Sequence, residues 1–271
     1  MLLSANADLR SAKKLAELGY DGIDVSFCRV IYRDDPYPHN PQLDGDDYER
    51  LLDQHAEECA RLGLRILTSH IPYRYAYNDP TSENYEYNFK MTCRSLAASE
   101  YLGAEWAVVH TKKAEDTVPY VKRLLQESGV KRIGIAIENM MHYPVEELIK
   151  SHDILKAEGY NVGVCFDTGH AHVNKHFDTD VAETVRLLGD RIKMLHVHDN
   201  LRNSDHHTAP FLGSIKWDSV MQALAEVGYT GALNLEVMSE KQPKELLEMY
   251  ERYNVQAARL LISKFEKYAG K

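Results

Sequence analysis

Six short β-type runs in this chain each end in a residue that can bind a metal ion or move a proton. They are LRILTSH ending at His70, WAVVH at His110, IGIAIE at Glu138, VGVCFD at Asp167, IKMLH at His196 and ALNLE at Glu236. Each is rich in Val, Ile, Leu or aromatics, has strand length and precedes loop-type sequence, so the polar residue belongs where a buried strand emerges. Any one of them alone reads as a capped strand end or a hydrogen-bonded core histidine. Six in register point to a shared pocket, because parallel strands closed into a barrel converge at their C-terminal ends on one face.

Glu138, Asp167, His196 and Glu236 form an oxygen and nitrogen set suited to Mn²⁺, Co²⁺ or Zn²⁺. Four protein ligands leave two positions open on an octahedral ion. A substrate carbonyl and its neighbouring hydroxyl can chelate there, so that the carbonyl is polarised and the adjacent C–H acidified. That carbon still needs a base, and Glu138 and Glu236, from the fifth and eighth strands, are the candidates. They would flank the substrate on opposite sides, one removing a proton and the other returning one. The competing reading makes one Glu an outer partner that orients a histidine.

Three neighbouring strings extend the set. In DTGHAH, Gly169 is expected to permit a tight turn that brings His170 back to the pocket, with His172 pointing away. In HVHDN, alternation sends His196 and His198 to one side, His196 deeper and His198 solvated at the rim. Asp205 and His207, two apart in a loop, suit a second metal, a clamp on a hydroxyl, or plain loop structure. His70 and His110, with Glu138 as a bridge, offer further capacity for a second ion.

These residues need a scaffold that alternates strand and helix, and the chain supplies it. Strands are expected near 2–5, 22–27, 64–70, 106–110, 133–138, 162–167, 192–198 and 232–237. Helices are expected near 8–18, 46–62, 84–102, 115–128, 144–158, 180–188, 217–227 and 243–266. This beat implies parallel strands with helical crossovers, and the fold class is α/β, a single (β/α)₈ TIM barrel over residues 1–271. A doubly wound open sheet ranks lower, since it would gather its site at one switch point rather than at six strand ends. Two long connections, CRVIYRDDPYPHNPQLDG and IPYRYAYNDPTS, would lie over the barrel mouth, where Arg29, Tyr32, Arg33, Tyr37, Tyr73, Arg74, Tyr75 and Tyr77 can contact a ligand.

The chain has 271 residues and a formal net charge of -9, which disfavours non-specific attraction to nucleic acid or an anionic membrane. No run of about 18 apolar residues appears, so a membrane span is not expected. Cys28, Cys59, Cys93 and Cys165 lack CxxC spacing and read as buried small hydrophobes in a reducing, cytoplasmic setting. A homo-oligomer is compatible with everything above.

The strings IENM, DTGHAH, LHVHDN, DHHTAPFLGSIKW and LNLEV, in this order, resemble the sugar phosphate isomerase/epimerase group of the xylose isomerase-like TIM barrels. That superfamily also holds ketose 3-epimerases and endonuclease IV-type enzymes. The resemblance implies a metal-dependent sugar isomerase or epimerase acting next to a carbonyl through a metal-bound enediolate. By the same resemblance Glu138, Asp167, His196 and Glu236 hold the metal, the two Glu are the acid/base pair, and His170 and Arg202 bind the sugar or polyol. The endonuclease group implies a runner-up, a multi-zinc phosphodiesterase, because residues matching its ligands are present at His70, His110, Glu138, Asp167, His170, His196, Asp205, His207 and Glu236. The start GYDGIDVSF and the ending PFLGSIKW are of the sugar-isomerase type. A third reading is a barrel that binds a sugar without catalysis.

Overall fold

The computed structural model describes residues 1–27, 47–72, 85–174 and 180–270. Its eight strands are β1 (Leu3–Ala7), β2 (Gly22–Ser26), β3 (Arg65–His70), β4 (Trp106–His110), β5 (Gly134–Glu138), β6 (Val162–Asp167), β7 (Ile192–His196) and β8 (Leu233–Leu235). Every ladder is parallel, each strand pairs with its sequence neighbour from β1 to β7, and β1 also pairs with β8. The unbroken sequential order from β1 to β7, with β8 bridging from β1 back towards β7, lacks the switch point of a doubly wound sheet and excludes that alternative. Between β7 and β8 the seam is thinner: an isolated Val197–Leu235 bridge, with Val197 N–H donating to the Asn234 carbonyl at 2.8 Å. The result is a nearly closed TIM barrel.

The helices are α1 (Ala12–Leu18), α2 (Tyr48–Arg61), α3 (Tyr85–Tyr101), α4 (Ala114–Ser128), α5 (Val145–Ala157), α6 (Thr168–Val173), α7 (Val181–Leu188), α8 (Trp217–Glu226) and α9 (Leu247–Tyr268). Three departures from the sequence expectation have local causes. The first helix begins as a 3₁₀ turn at Leu9–Ser11, because the Asp8 carboxylate takes the Arg10 N–H, and only then becomes α1. Strands β7 and β8 stop before 198 and 237, where the chain turns into the site loops. The short helix α6 was not expected at all. The two long connections, with Cys28 and the arginines and tyrosines read as mouth contacts, fall in 28–46 and 73–84, outside the described residues.

Strand alternation divides the side chains into two populations. Ala107, Val109, Ile135, Ile137, Val164 and Phe166 face outward and join the main core between strands and helices. Val108, Ala136, Cys165 and Met194 form a separate apolar cluster inside the β4–β7 half of the barrel. Below it the Trp106 ring fills the interior, and Gly134 makes room, since a Cβ there would lie 2.2 Å from that ring. The other half is polar: Ser4, Asp24, Thr68 and Asn234 are buried and bonded to one another across β1, β2, β3 and β8. Cys59, Cys93 and Cys165 are buried free thiols, as their scattered spacing suggested. Burial pushes Cys93 and Cys165 up to about 12, which keeps both protonated.

Candidate metal centre and active site

Above the apolar cluster, the parallel register sets His110 beside Glu138 and Asp167 beside His196 at the C-terminal strand ends. The donor atoms of Glu138, Asp167, His196 and Glu236 all lie within 4.8 Å of one another. His196 Nδ1 stands 2.8 Å from Glu138 Oε1 and 3.2 Å from Glu236 Oε2. A second group shares Glu138, whose Oε2 is 3.0 Å from His110 Nε2 and 3.6 Å from His70 Nε2. The two imidazole nitrogens are themselves 3.1 Å apart.

A third group contains His170, His198, Asp205 and His207. Asp205 Oδ2 is 2.9 Å from His207 Nε2 and 3.5 Å from His170 Nε2. His198 Nε2 lies 3.0 Å and 3.1 Å from the two Asp167 oxygens, which links this group to the first. His170, His207 and Asp205 therefore sit beside the strand-end set, as a second-ion reading of the Asp205 and His207 pair requires.

Hydrogen bonds to the backbone decide which nitrogen each histidine presents. His70 Nδ1 pairs with the Ile71 carbonyl at 2.9 Å, His170 Nδ1 with the Asn139 carbonyl at 3.0 Å, and His207 Nδ1 with the Glu236 carbonyl at 2.8 Å. A carbonyl only accepts, so Nδ1 carries the proton and Nε2 turns a lone pair to the cluster. Such convergence of lone pairs and carboxylate oxygens demands a positive species. Asp205 Oδ1 is buried without a hydrogen bond, and Glu138 Oε2, although close to His110, makes none of proper direction. Oxygen and imidazole donors with unmet acceptors fit a hard or borderline divalent cation. Cys165 sulfur lies near Glu138 and His196, but as a buried thiol it adds no thiolate.

Without a cation, protons serve in its place. Burial works to lower the His170 pKa, but the Asp167, Asp205 and Glu138 carboxylates raise it to about 10. Burial likewise opposes ionisation of His207, and the hydrogen bond to Asp205 with the charge of Glu236 raises it to about 9. Burial would raise Glu138 and Glu236; the His196 charge beside both instead holds each below the ordinary carboxylate range. His110 moves the other way, lowered chiefly by burial.

The loop between β7 and α8 is held by Asp199, whose buried carboxylate accepts from Phe211 N–H at 3.1 Å, Ile215 N–H at 3.2 Å and Trp217 Nε1–H at 2.8 Å. Within it Arg202, His207 and Phe211 adopt positive φ of 65°, 51° and 71°. Non-glycine residues tolerate that region only where surrounding contacts enforce it, a pattern typical of functional loops. Arg202 lies exposed in this loop.

Two expectations need correction. His198 is not solvated at the rim: it is fully buried, stacked 3.9 Å from the His207 ring, and belongs to the third donor group. Gly169 does not make a tight turn, being inside α6; it is small because an added Cβ would meet the His198 ring at 1.9 Å. His172 does point away, its Nδ1 pairing with Asn200 Oδ1 at 2.8 Å, and it joins none of the donor groups. Asp24, missed in the sequence, is fully buried 3.5 Å from His196 Nε2. Its signal was a carboxylate in the middle of an apolar strand.

A nearly closed parallel barrel with its donors at the C-terminal face defines a TIM barrel of the xylose isomerase-like family: residues 12–253 match that family's profile, and the chain belongs to it. An uncharacterised protein, y4fM, of Sinorhizobium fredii is 30% identical over 181 residues, covering 61% of this chain and 57% of that protein. D-psicose 3-epimerase of Enterocloster bolteae is 30% identical over 92 residues, covering 34% of this chain and 25% of that enzyme. The matched stretches thus span from a quarter to little more than half of these relatives' lengths. Among solved structures, a D-tagatose 3-epimerase-like protein superposes with a TM-score of 0.73 at 19% identity, covering 100% of this chain and 99% of that one. D-psicose 3-epimerase of Clostridium cellulolyticum H10, determined with D-tagatose, gives 0.71 at 15% identity, covering 97% and 99%. At such identities these likenesses speak for the fold. Among the described residues no helix is long and apolar enough to cross a membrane.

Proposed function

We propose that this chain is a divalent-metal-dependent sugar isomerase or epimerase that works next to a carbonyl, with Glu138 and Glu236 as its acid/base pair. The observation that carries the reading is their meeting at one imidazole, with His196 Nδ1 2.8 Å from Glu138 and 3.2 Å from Glu236 at the barrel mouth. The names of the ketose 3-epimerase relatives support the sugar class. Glu138, Asp167, His196 and Glu236 would hold a Mn²⁺, Co²⁺ or Zn²⁺ ion, which supplies the charge that polarises a carbonyl and acidifies the neighbouring C–H.

One glutamate then takes the proton from carbon, leaving an enediolate. Return of a proton to the same carbon from the opposite side gives the epimer; return to the adjacent carbon gives the aldose or ketose isomer. For epimerisation the carboxylate on the removing face acts ionised, as the base, while its partner acts protonated, as the acid that returns a proton to the other face. His170, buried beside this set, and Arg202, exposed in the loop after β7, would bind substrate hydroxyls. The second and third donor groups would give His70 and His110, and Asp205 and His207, a role as a further cation or substrate site.

The test is a chelator-stripped protein assayed on a panel of ketoses and polyols, before and after restoring Mn²⁺, Co²⁺ or Zn²⁺. Turnover that returns with the cation is expected. Protein purified gently with less than about a tenth of an equivalent of any such metal, and not activated by adding it, contradicts the proposal.

A further inference from the structure

We infer that Asp24 on β2 is a positioning residue for His196: it accepts the Nε2 proton across the barrel and so commits Nδ1 to the donor group. The inference rests on the reading of that group as a cation site. His70, His170 and His207 each give Nδ1–H to a backbone carbonyl and present Nε2. His196 is turned the other way. Its Nδ1 faces Glu138 and Glu236, its Nε2 makes no hydrogen bond within the ordinary limits, and Asp24 Oδ2 faces that Nε2 at 3.5 Å. An imidazole that binds through Nδ1 needs an acceptor on the far side of the ring to keep its proton there.

Asp24 is built to be that acceptor. It is wholly buried, and a buried carboxylate persists only where donors compensate its lost hydration. Thr68 Oγ1 donates to Oδ1 at 2.7 Å, while Asn6 Nδ2 and Asn234 Nδ2 donate to Oδ2 at 2.6 Å and 3.2 Å. Ser4 Oγ donates to Asn234 Oδ1 at 2.9 Å, which fixes the Asn234 amide with its NH₂ toward Asp24. The His70 ring lies parallel to His196, centroids 5.5 Å apart and 16° between planes, and confines the ring to one plane. Stacking sets the plane but leaves open which edge faces the cluster; the carboxylate decides that. The 3.5 Å gap is expected to shorten once a cation draws on Nδ1, as catalytic hydrogen bonds often do.

A purely structural Asp24 would tie β1, β3 and β8 to β2 and do nothing more, so the experiment separates the two roles. Zn²⁺ affinity is measured by competition with a chromophoric chelator for wild type, Asp24→Asn and Thr68→Val. Thr68→Val removes a hydrogen bond from the same network but leaves the carboxylate facing His196. Asp24→Asn should weaken Zn²⁺ binding about 10- to 100-fold and Thr68→Val less than about 3-fold, although both lower the melting temperature of the metal-free protein. In the Zn²⁺-loaded wild type, ¹⁵N shifts of the His196 ring should show Nε2 protonated and Nδ1 coordinated, a readout that needs no variant to fold. Coordination through Nε2, equal affinity in Asp24→Asn, or an equal loss in Thr68→Val overturns the inference while the site reading stands. A wild type that takes up no Zn²⁺ overturns both.

Discussion

His170 and His207 show what the donor groups ask of the protein in the absence of a cation. Their folded pKa values of about 10 and about 9 lie above the ordinary 6.5, so their stabilisation is full below pH 6.5 and is lost as pH rises through 9 and 10. Glu138, Glu236 and Asp205 are held below their ordinary values, so their stabilisation is present above about pH 4.5 and lost as pH falls. Metal-free protein should therefore be most resistant to urea between about pH 4.5 and 6.5, and the loss on the alkaline side should flatten when Zn²⁺ or Co²⁺ replaces those protons. A stability profile that climbs from pH 7 to 9 without metal contradicts these assignments. At this scale the strand-end residues were legible because a polar residue closing an apolar run has few reasons to be there. His198 was misread because alternation gives the face of a residue and not the depth of the loop above it. Asp24 escaped because its partners, Asn6, Thr68 and Asn234, come from three other strands.

The element least visible in the sequence is α6. Its six residues carry a glycine and two histidines, too little for a periodic signal, yet Asp167 caps it by accepting the His170 N–H at 2.6 Å. The same aspartate thus ends β6, starts α6 and contributes to the donor group, and the cap was the available clue. Close packing of α6 on the β7 extension depends on Gly169. Gly169→Ala should cost about 1–3 kcal/mol of stability, since the added carbon meets the buried His198 ring, and should weaken cation binding by displacing His198 and His170 together. Denaturant unfolding and a Zn²⁺ titration of this variant check it; an unchanged titration would detach α6 from the site. The regular strands and helices were placed within a few residues because their apolar periods are long. Boundaries shifted where side chains such as Asp8 capture backbone donors, which periodicity does not report.

Over the whole barrel, the interior is divided between an apolar half at β4–β7 and a polar half around Asp24, and the charged mouth rests on both. Packing so many like charges together opposes folding unless a cation or protons offset them. Chelation should accordingly lower the melting temperature, and adding back a cation at about 100 times its dissociation constant should restore about 2.7 kcal/mol. A melting curve indifferent to chelator would remove the cation from the folded state. The closure of the barrel through β1 and β8 was legible from the alternation of strands and helices, whereas the substrate's identity was not, because tyrosines and arginines in irregular connections carry no period.

The most direct measurement is exchange of carbon-bound hydrogen. Metal-loaded protein is incubated with a ketose panel in deuterated water, and deuterium at the carbon next to the carbonyl is followed by mass spectrometry and NMR. Wild type should introduce deuterium into at least one ketose. Glu138→Gln and Glu236→Gln should each slow this by about 10² to 10⁴ through loss of a general acid/base, while His172→Ala, whose side chain turns to Asn200, should stay within a few-fold of wild type. Exchange that persists at the wild-type rate in both glutamine variants would contradict the acid/base pair.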